Sequence, residues 1–168
     1  MNNRCRNLLG AAVLALFVLA GSVACADDKE KDIPKKVLDA LKAKFPKAII
    51  DKWTKEKEGG DVVYDIEFKE NGRKCEADIK EDGTIVNYER EIAAKDLPKA
   101  VTEAVEKKYP KATLKEVMEV TEVKGAEEKL EGYEINLVTA DKKEVEVVIA
   151  PDGKVLEDST EKKEKKDK

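Results

Sequence analysis

Two stretches of the chain place an apolar residue at every fourth position. Ile33, Val37, Leu41 and Phe45 form the first series, and Leu97, Val101, Val105 and Tyr109 form the second, with Ala40 and Ala104 widening each stripe. That spacing predicts two helices, each with one apolar face that packs on a flat partner. Pro34 and Pro98 suit a first helical turn, where a missing N–H costs nothing. Asp32 and Asp96 put negative charge at the positive end of each helix, and Pro46 and Pro110 stop it. After each helix the period changes to two. Tyr64, Ile66 and Phe68 alternate with Asp65, Glu67 and Lys69, and Cys75, Ala77 and Ile79 alternate with Glu76, Asp78 and Lys80. In the later stretch Tyr133, Ile135 and Leu137, then Val145, Val147 and Ile149, make the same pattern. Four strands are expected after the first helix, over residues 48–57, 62–69, 73–80 and 85–91. Gly59-Gly60, Asn71-Gly72 and Asp82-Gly83 serve as hairpin turns that accept positive φ. Such alternation describes a half-buried antiparallel meander, with one face under the helix and the other wet.

The two stretches are copies of each other. Residues 31–48 (KDIPKKVLDALKAKFPKA) and 95–112 (KDLPKAVTEAVEKKYPKA) are identical at ten of eighteen positions. The offset is 64 in the helix, 69 at Tyr64/Tyr133 and 70 at Asp82-Gly83/Asp152-Gly153, so the second copy carries about five extra residues near Lys124 to Gly132. Insertions of that kind belong in loops. The fold class expected is α+β, two tandem repeats over residues 31–92 and 95–156, each one helix on a four-stranded antiparallel meander. A unit near 65 residues is marginal alone, so the two are expected to pair. Whether they share one sheet is left open by the sequence.

The ends differ from this pattern. Arg4 and Arg6 precede an apolar run from Leu8 to Ala20, and Ala24-Cys25-Ala26 follows, which reads as a secretory signal over residues 1–26. Cys25 as a lipid-modified first residue is the alternative tether, and no membrane span is expected after cleavage. The localisation expected is periplasmic or secreted. Residues 157–168 (EDSTEKKEKKDK) hold no apolar side chain and are expected to form a disordered charged tail. Cys75 is the one cysteine kept by the mature chain, so the domain is expected to hold together by packing rather than by an internal disulfide. Its place on an apolar strand face makes it a small hydrophobe rather than a reactive thiol.

Charged residues make up 42% of the chain, with 33 basic against 37 acidic. Loss of residues 1–26 removes two arginines and no acid, leaving the mature chain near −6. An acidic surface with no basic stripe argues against nucleic acid as partner. The chain has no histidine, and its two serines lie in the signal and in the expected tail. No Ser-based triad is therefore expected, nor a phosphate loop, since the glycines sit at hairpin turns. The chain is read as non-catalytic, with no cofactor.

Ile33-Pro34, Phe45-Pro46-Lys47-Ala48, Tyr64-Asp65-Ile66 and Asp82-Gly83 recur as Leu97-Pro98, Tyr109-Pro110-Lys111-Ala112, Tyr133-Glu134-Ile135 and Asp152-Gly153. In that order these elements resemble the PepSY-like, β-lactamase-inhibitor-like family, over nearly all of residues 31–156. The resemblance implies an extracytoplasmic protein built from helix-on-four-strand units, with relatives of the fold inhibiting proteases or β-lactamases through an exposed sheet face. The function expected is an exported binding module that presents its exposed sheet faces to a protein or peptide, as a monomer. The residues expected to meet that partner are Trp53, Asp65, Glu67, Glu76, Asp78, Glu134, Asn136 and Glu146. The alternative is an acidic, cation-responsive envelope domain, because oxygen-only clusters suit Ca²⁺ or Mg²⁺. No loop has the EF-hand spacing, and no resident metal site is expected.

Overall fold

The computed structural model describes residues 30–58 and 60–160. The expected signal, Cys25, Gly59 and the last eight residues of the expected tail lie outside the described residues. Helix α1 spans Lys35–Lys44 and is followed by β1 (Ile49–Glu58), β2 (Asp61–Glu70), β3 (Arg73–Lys80) and β4 (Ile85–Glu91). A short 3-10 turn, Ala94–Asp96, leads to α2 (Lys99–Lys108), then β5 (Thr113–Lys124), β6 (Glu127–Val138), β7 (Glu144–Ile149) and β8 (Val155–Asp158). All eight strands join one antiparallel sheet in sequence order. The fold is α+β, with two helices and one eight-stranded antiparallel sheet.

The prolines act as helix boundaries. Pro34 and Pro98 occupy the N-cap positions of α1 and α2, and Phe45 and Tyr109 the C-caps, each donating its backbone N–H to the carbonyl four residues back at 2.7 Å. The apolar stripes do what their spacing predicts. Val37, Leu41 and Phe45 are fully buried with Ile66, Phe68, Ala77 and Ile79, while Val101 and Val105 pack with Ile135, Leu137, Val147 and Ile149. Each fully buried Val, Leu, Ile or Phe among them contributes about 1.5–3 kcal/mol through burial. Both helices lie on the same face of the sheet, because Val117 of the second cluster and Val123, packed on the first, project from the same side of β5.

Bulges recur at matched places. The register shifts between Ile50 and Lys52 in β1 and between Leu114 and Glu116 in β5, 64 residues on. It shifts again where Asp78/Ile79 meet β4 and where Val148/Ile149 meet β8. The two Asp-Gly turns also match: Gly83 (φ 93°) and Gly153 (φ 88°) tuck under the first turns of α1 and α2. A Cβ on Gly83 would stand 3.0 Å from the Lys36 carbonyl oxygen, and on Gly153 it would stand 2.7 Å from that of Ala100. The chain comes so close to the helix there that a side chain has no room.

Two expectations about irregular segments are corrected. The extra residues near 124–132 do not form a loop: β5 and β6 extend through them to a turn at Gly125-Ala126, because β4 pairs with β5 as far as Glu122 and supports the longer hairpin. Glu128 from that hairpin reaches Lys44 and accepts a hydrogen bond from Tyr88 Oη at 2.9 Å. At the other end, β8 takes in Glu157 and Asp158, the first two residues of the stretch read as tail. Asp158 is 4% exposed, and hydrogen bonding overrides the local lack of apolar residues.

Candidate functional site

The face opposite the helices carries no helix, and its charged side chains lie in rows set by the strand pairing. Asp65 on β2 pairs with Asp78 on β3, which pairs with Asn87 on β4. One step along, Glu67, Glu76 and Glu89 pair in turn, and Val120 on β5 and Gly132 on β6 continue the row. The next row runs Glu91, Met118, Glu134, Val148 and Glu157, and beyond it come Glu116, Asn136 and Glu146. Strands stand about 4.8 Å apart, so acids from seven strands, β2 to β8, share one surface. Met118, 1% exposed, and Val120 are buried in the middle of it.

Some of these acids have donors. Lys52 Nζ lies 2.6 Å from Glu67. Asn87 Nδ2 donates to Asp78 at 2.8 Å, and Asn136 Nδ2 donates to Glu134 at 3.4 Å. Lys74 Nζ sits 2.9 Å from both Glu76 and Glu116, so it reaches from β3 across β4 to β5. Burial alone would lower the Lys74 pKa, but hydrogen bonds to Glu116 and Glu76 outweigh it and hold the ammonium charged. Glu89 is different: its Oε2 is buried with no hydrogen-bond partner. The same holds for Oε2 of Glu131, the extra residue where β6 bulges beside Gly132.

Crowding shows in the acid strengths. Burial, then Asp78, Glu76 and Glu67, raise the Asp65 pKa to about 7. Burial and then Glu146 and Glu76 raise that of Glu134 to about 8. Glu89 is raised well above the ordinary range by burial and then by Glu134, Glu76, Asp78 and Asp65. Like charges in a poorly hydrated setting disfavour one another's ionised forms.

Seven of the eight residues expected to meet a partner therefore share one face: Asp65, Glu67, Glu76, Asp78, Glu134, Asn136 and Glu146. The sequence reading takes that face as wet, yet all seven are half-buried, because long neighbouring side chains cover one another. Trp53 is not among them. It pairs with Ile66 and packs against Tyr64, with ring centroids 5.9 Å apart, on the helix side of the sheet. Sequence reasoning misses Glu89, Glu116, Lys74 and the Met118-Val120 floor. Alternation in β4 groups Glu89 with Asn87 and Glu91, but only strand register brings it beside Glu76. Cys75 is buried, and burial raises its thiol pKa, as a packing residue requires.

Among the described residues no three acids or cysteines converge in a way that could hold a metal ion. No helix among them is long and apolar enough to cross a membrane. A hollow lined by Glu91, Ile92, Leu114 and Val117 opens where β4 leaves the sheet.

The sequence profile of a family described as "Putative beta-lactamase-inhibitor-like, PepSY-like" matches residues 62–157. The chain belongs to this family. A second profile, the peptidase propeptide and YPEB domain (PepSY), matches residues 34–88. Among solved structures, a BLIP-like protein of Bacteroides fragilis is similar at 21% identity and a TM-score of 0.54, covering 79% of this chain and 90% of its own. A DUF2874 family protein of Bacteroides uniformis is similar at 18% identity and a TM-score of 0.57, covering 74% and 87%. A protein of Bacteroides eggerthii, described as "putative periplasmic", is similar at 19% identity and a TM-score of 0.58, covering 75% and 87%. At these identities the likeness is one of fold. No curated protein matches the chain.

Proposed function

We propose that this PepSY-like protein is an exported, non-catalytic binding module, and that the sheet face opposite the helices receives a protein or peptide partner. The observation that carries this reading is the sheet itself: eight strands with both helices on one side and a continuous field of acids on the other. A face dense in carboxyl groups orients a partner of complementary charge. Two tandem repeats, each a helix on a four-stranded meander, generate this surface by duplication. The bulges 64 and 70 residues apart and the paired Asp-Gly turns support that reading. Export rests on the signal-like run before Ala26 and agrees with the periplasmic description of a fold relative. The family name suggests inhibition as one form the binding takes.

Capture from an envelope extract tests the proposal. The intact chain is expected to retain a partner, and Glu76→Gln/Glu146→Gln on the acid face is expected to release it. Glu103→Gln, on the outer side of α2, is expected to leave it bound. Retention unaffected by the acid-face change would overturn the reading.

A further inference from the structure

The acid face already contains one half-buried cation, Lys74, and the way it is held indicates what a partner would bring. The Lys74 ammonium links Glu76 on β3 to Glu116 on β5, two strands apart, over β4. One strand further across the sheet, Glu89 on β4 and Glu134 on β6 stand in the same two-strand relation. Between them lies Val120 or Met118 on β5, which offers no side-chain hydrogen-bond donor. Glu89 Oε2 is buried and unpartnered, and after burial the groups acting most strongly on it are all acids: Glu134, Glu76, Asp78 and Asp65. A buried acceptor left without a donor is costly, and over an apolar floor the repulsion is weakly screened.

We propose that the partner places a basic side chain, a lysine ammonium or an arginine guanidinium, between Glu89, Glu76 and Glu134, so that the preferred ligand is a basic peptide segment. The inference rests on the binding-module reading and names the chemistry of its partner. A point ion fits less well. Ca²⁺ takes six to eight oxygens at about 2.3–2.6 Å, whereas these acids are spread across the strands and, among the described residues, no three converge on one position. A basic side chain suits the spread, because its donors point in several directions and its aliphatic stem tolerates Met118 and Val120 beneath it.

The test titrates isotopically labelled protein with acetyl-Arg-Arg-Arg-amide at neutral pH, following the side-chain carboxyl carbons by NMR. Saturable shifts at Glu89 and Glu134 are expected, together with proton release, since a bound cation favours their ionised forms. Glu89→Gln is expected to weaken the peptide more than tenfold while raising the melting temperature, so that loss of binding is not loss of fold. Glu103→Gln is expected to bind within twofold of the parent. Equal binding by Glu89→Gln, equal binding of acetyl-Gln-Gln-Gln-amide, or saturable Ca²⁺ binding without peptide binding would each overturn the proposal. If the arginine peptide fails but an envelope partner is still held through the acid face, this inference alone falls. If both fail, the binding-module reading falls with it.

Discussion

The two halves of the sheet close the same corner in opposite ways. In the first, Phe45 at the end of α1 meets Tyr88 on β4 edge-on, with ring centroids 5.5 Å apart, and Phe68 at 4.8 Å. Lys44 and the Arg90 guanidinium lie over the Tyr88 ring at 4.9 and 5.1 Å. In the second, Tyr109 ends α2 and donates its hydroxyl to the buried carboxylate of Asp158 on β8. Lys108 Nζ stands 2.7 Å from that carboxylate, and Thr160 donates to it from its backbone N–H at 2.8 Å and its hydroxyl at 2.5 Å. Burial would raise the Asp158 pKa, but the bonds from Lys108, Thr160 and Tyr109 outweigh it and hold it at about 2. One added hydroxyl, Tyr109 where the first half has Phe45, accompanies the change from an aromatic contact to a charged one. Acid reaches both locks, since Glu128 bonds Lys44 and Tyr88 in the first, but only the second has a buried carboxylate at its centre.

The contrast is most directly broken by Asp158→Ala, which removes the buried carboxylate that accepts from Tyr109 and Thr160. A loss of about 3–5 kcal/mol is expected in urea unfolding, and the double change Tyr109→Phe/Asp158→Tyr, which installs the first half's pair, is expected to recover most of it. Next in size are the glycines that match between halves. Gly153→Ala is expected to cost about 2–3 kcal/mol, and Gly83→Ala less, because its neighbouring carbonyl is 0.3 Å farther away. Acid then separates the halves. The depressed Asp158 pKa stabilises the fold above about pH 4, and that contribution, about 2 kcal/mol, is lost as pH falls from 4 through 2. Acid unfolding of the double variant should lack this component.

The acid face titrates with the opposite sign in both halves. Asp65 and Glu134 have raised folded-state pKa values of about 7 and 8, so the folded chain holds extra protons between about pH 4 and 8 and loses stability as pH rises through that window. A melting temperature on the order of 5 °C higher at pH 5.5 than at pH 9 is expected, and Asp65→Asn/Glu134→Gln should flatten the difference. The smallest effect is Tyr88→Phe. It removes only the partly exposed hydrogen bond to Glu128, and a change of about 1 kcal/mol or less is expected in the same unfolding assay.

The helices and most strands were legible in the chain because their apolar residues recur at one period over ten residues, and burial enforces such a pattern almost regardless of what lies opposite. Seven acid-face residues were legible for the same reason, since alternation assigns a side to each. Trp53 reads as a partner anchor because it is the only tryptophan, and the Ile50/Lys52 register shift in β1, which sets it on the helix side, is invisible without the partner strand. Glu89 went unrecognised because its neighbours Glu76 and Glu134 come from distant parts of the chain. Asp158 reads as tail, because a charged residue in a polar stretch gives no local sign that Lys108 and Tyr109 meet it.

The sequence by itself determined the alternation of periods, the helix boundaries at Pro34 and Pro98, the turns at Asp82-Gly83 and Asp152-Gly153, and the side of the strand on which most acids stand. All of these follow from interactions within a few residues. Only the tertiary structure decided that β4 joins β5, that the hairpin near Gly125 is strand rather than loop, and that Glu89 stands crowded among other acids. Those outcomes depend on pairing between segments far apart in the chain, where register converts a list of charges into a surface.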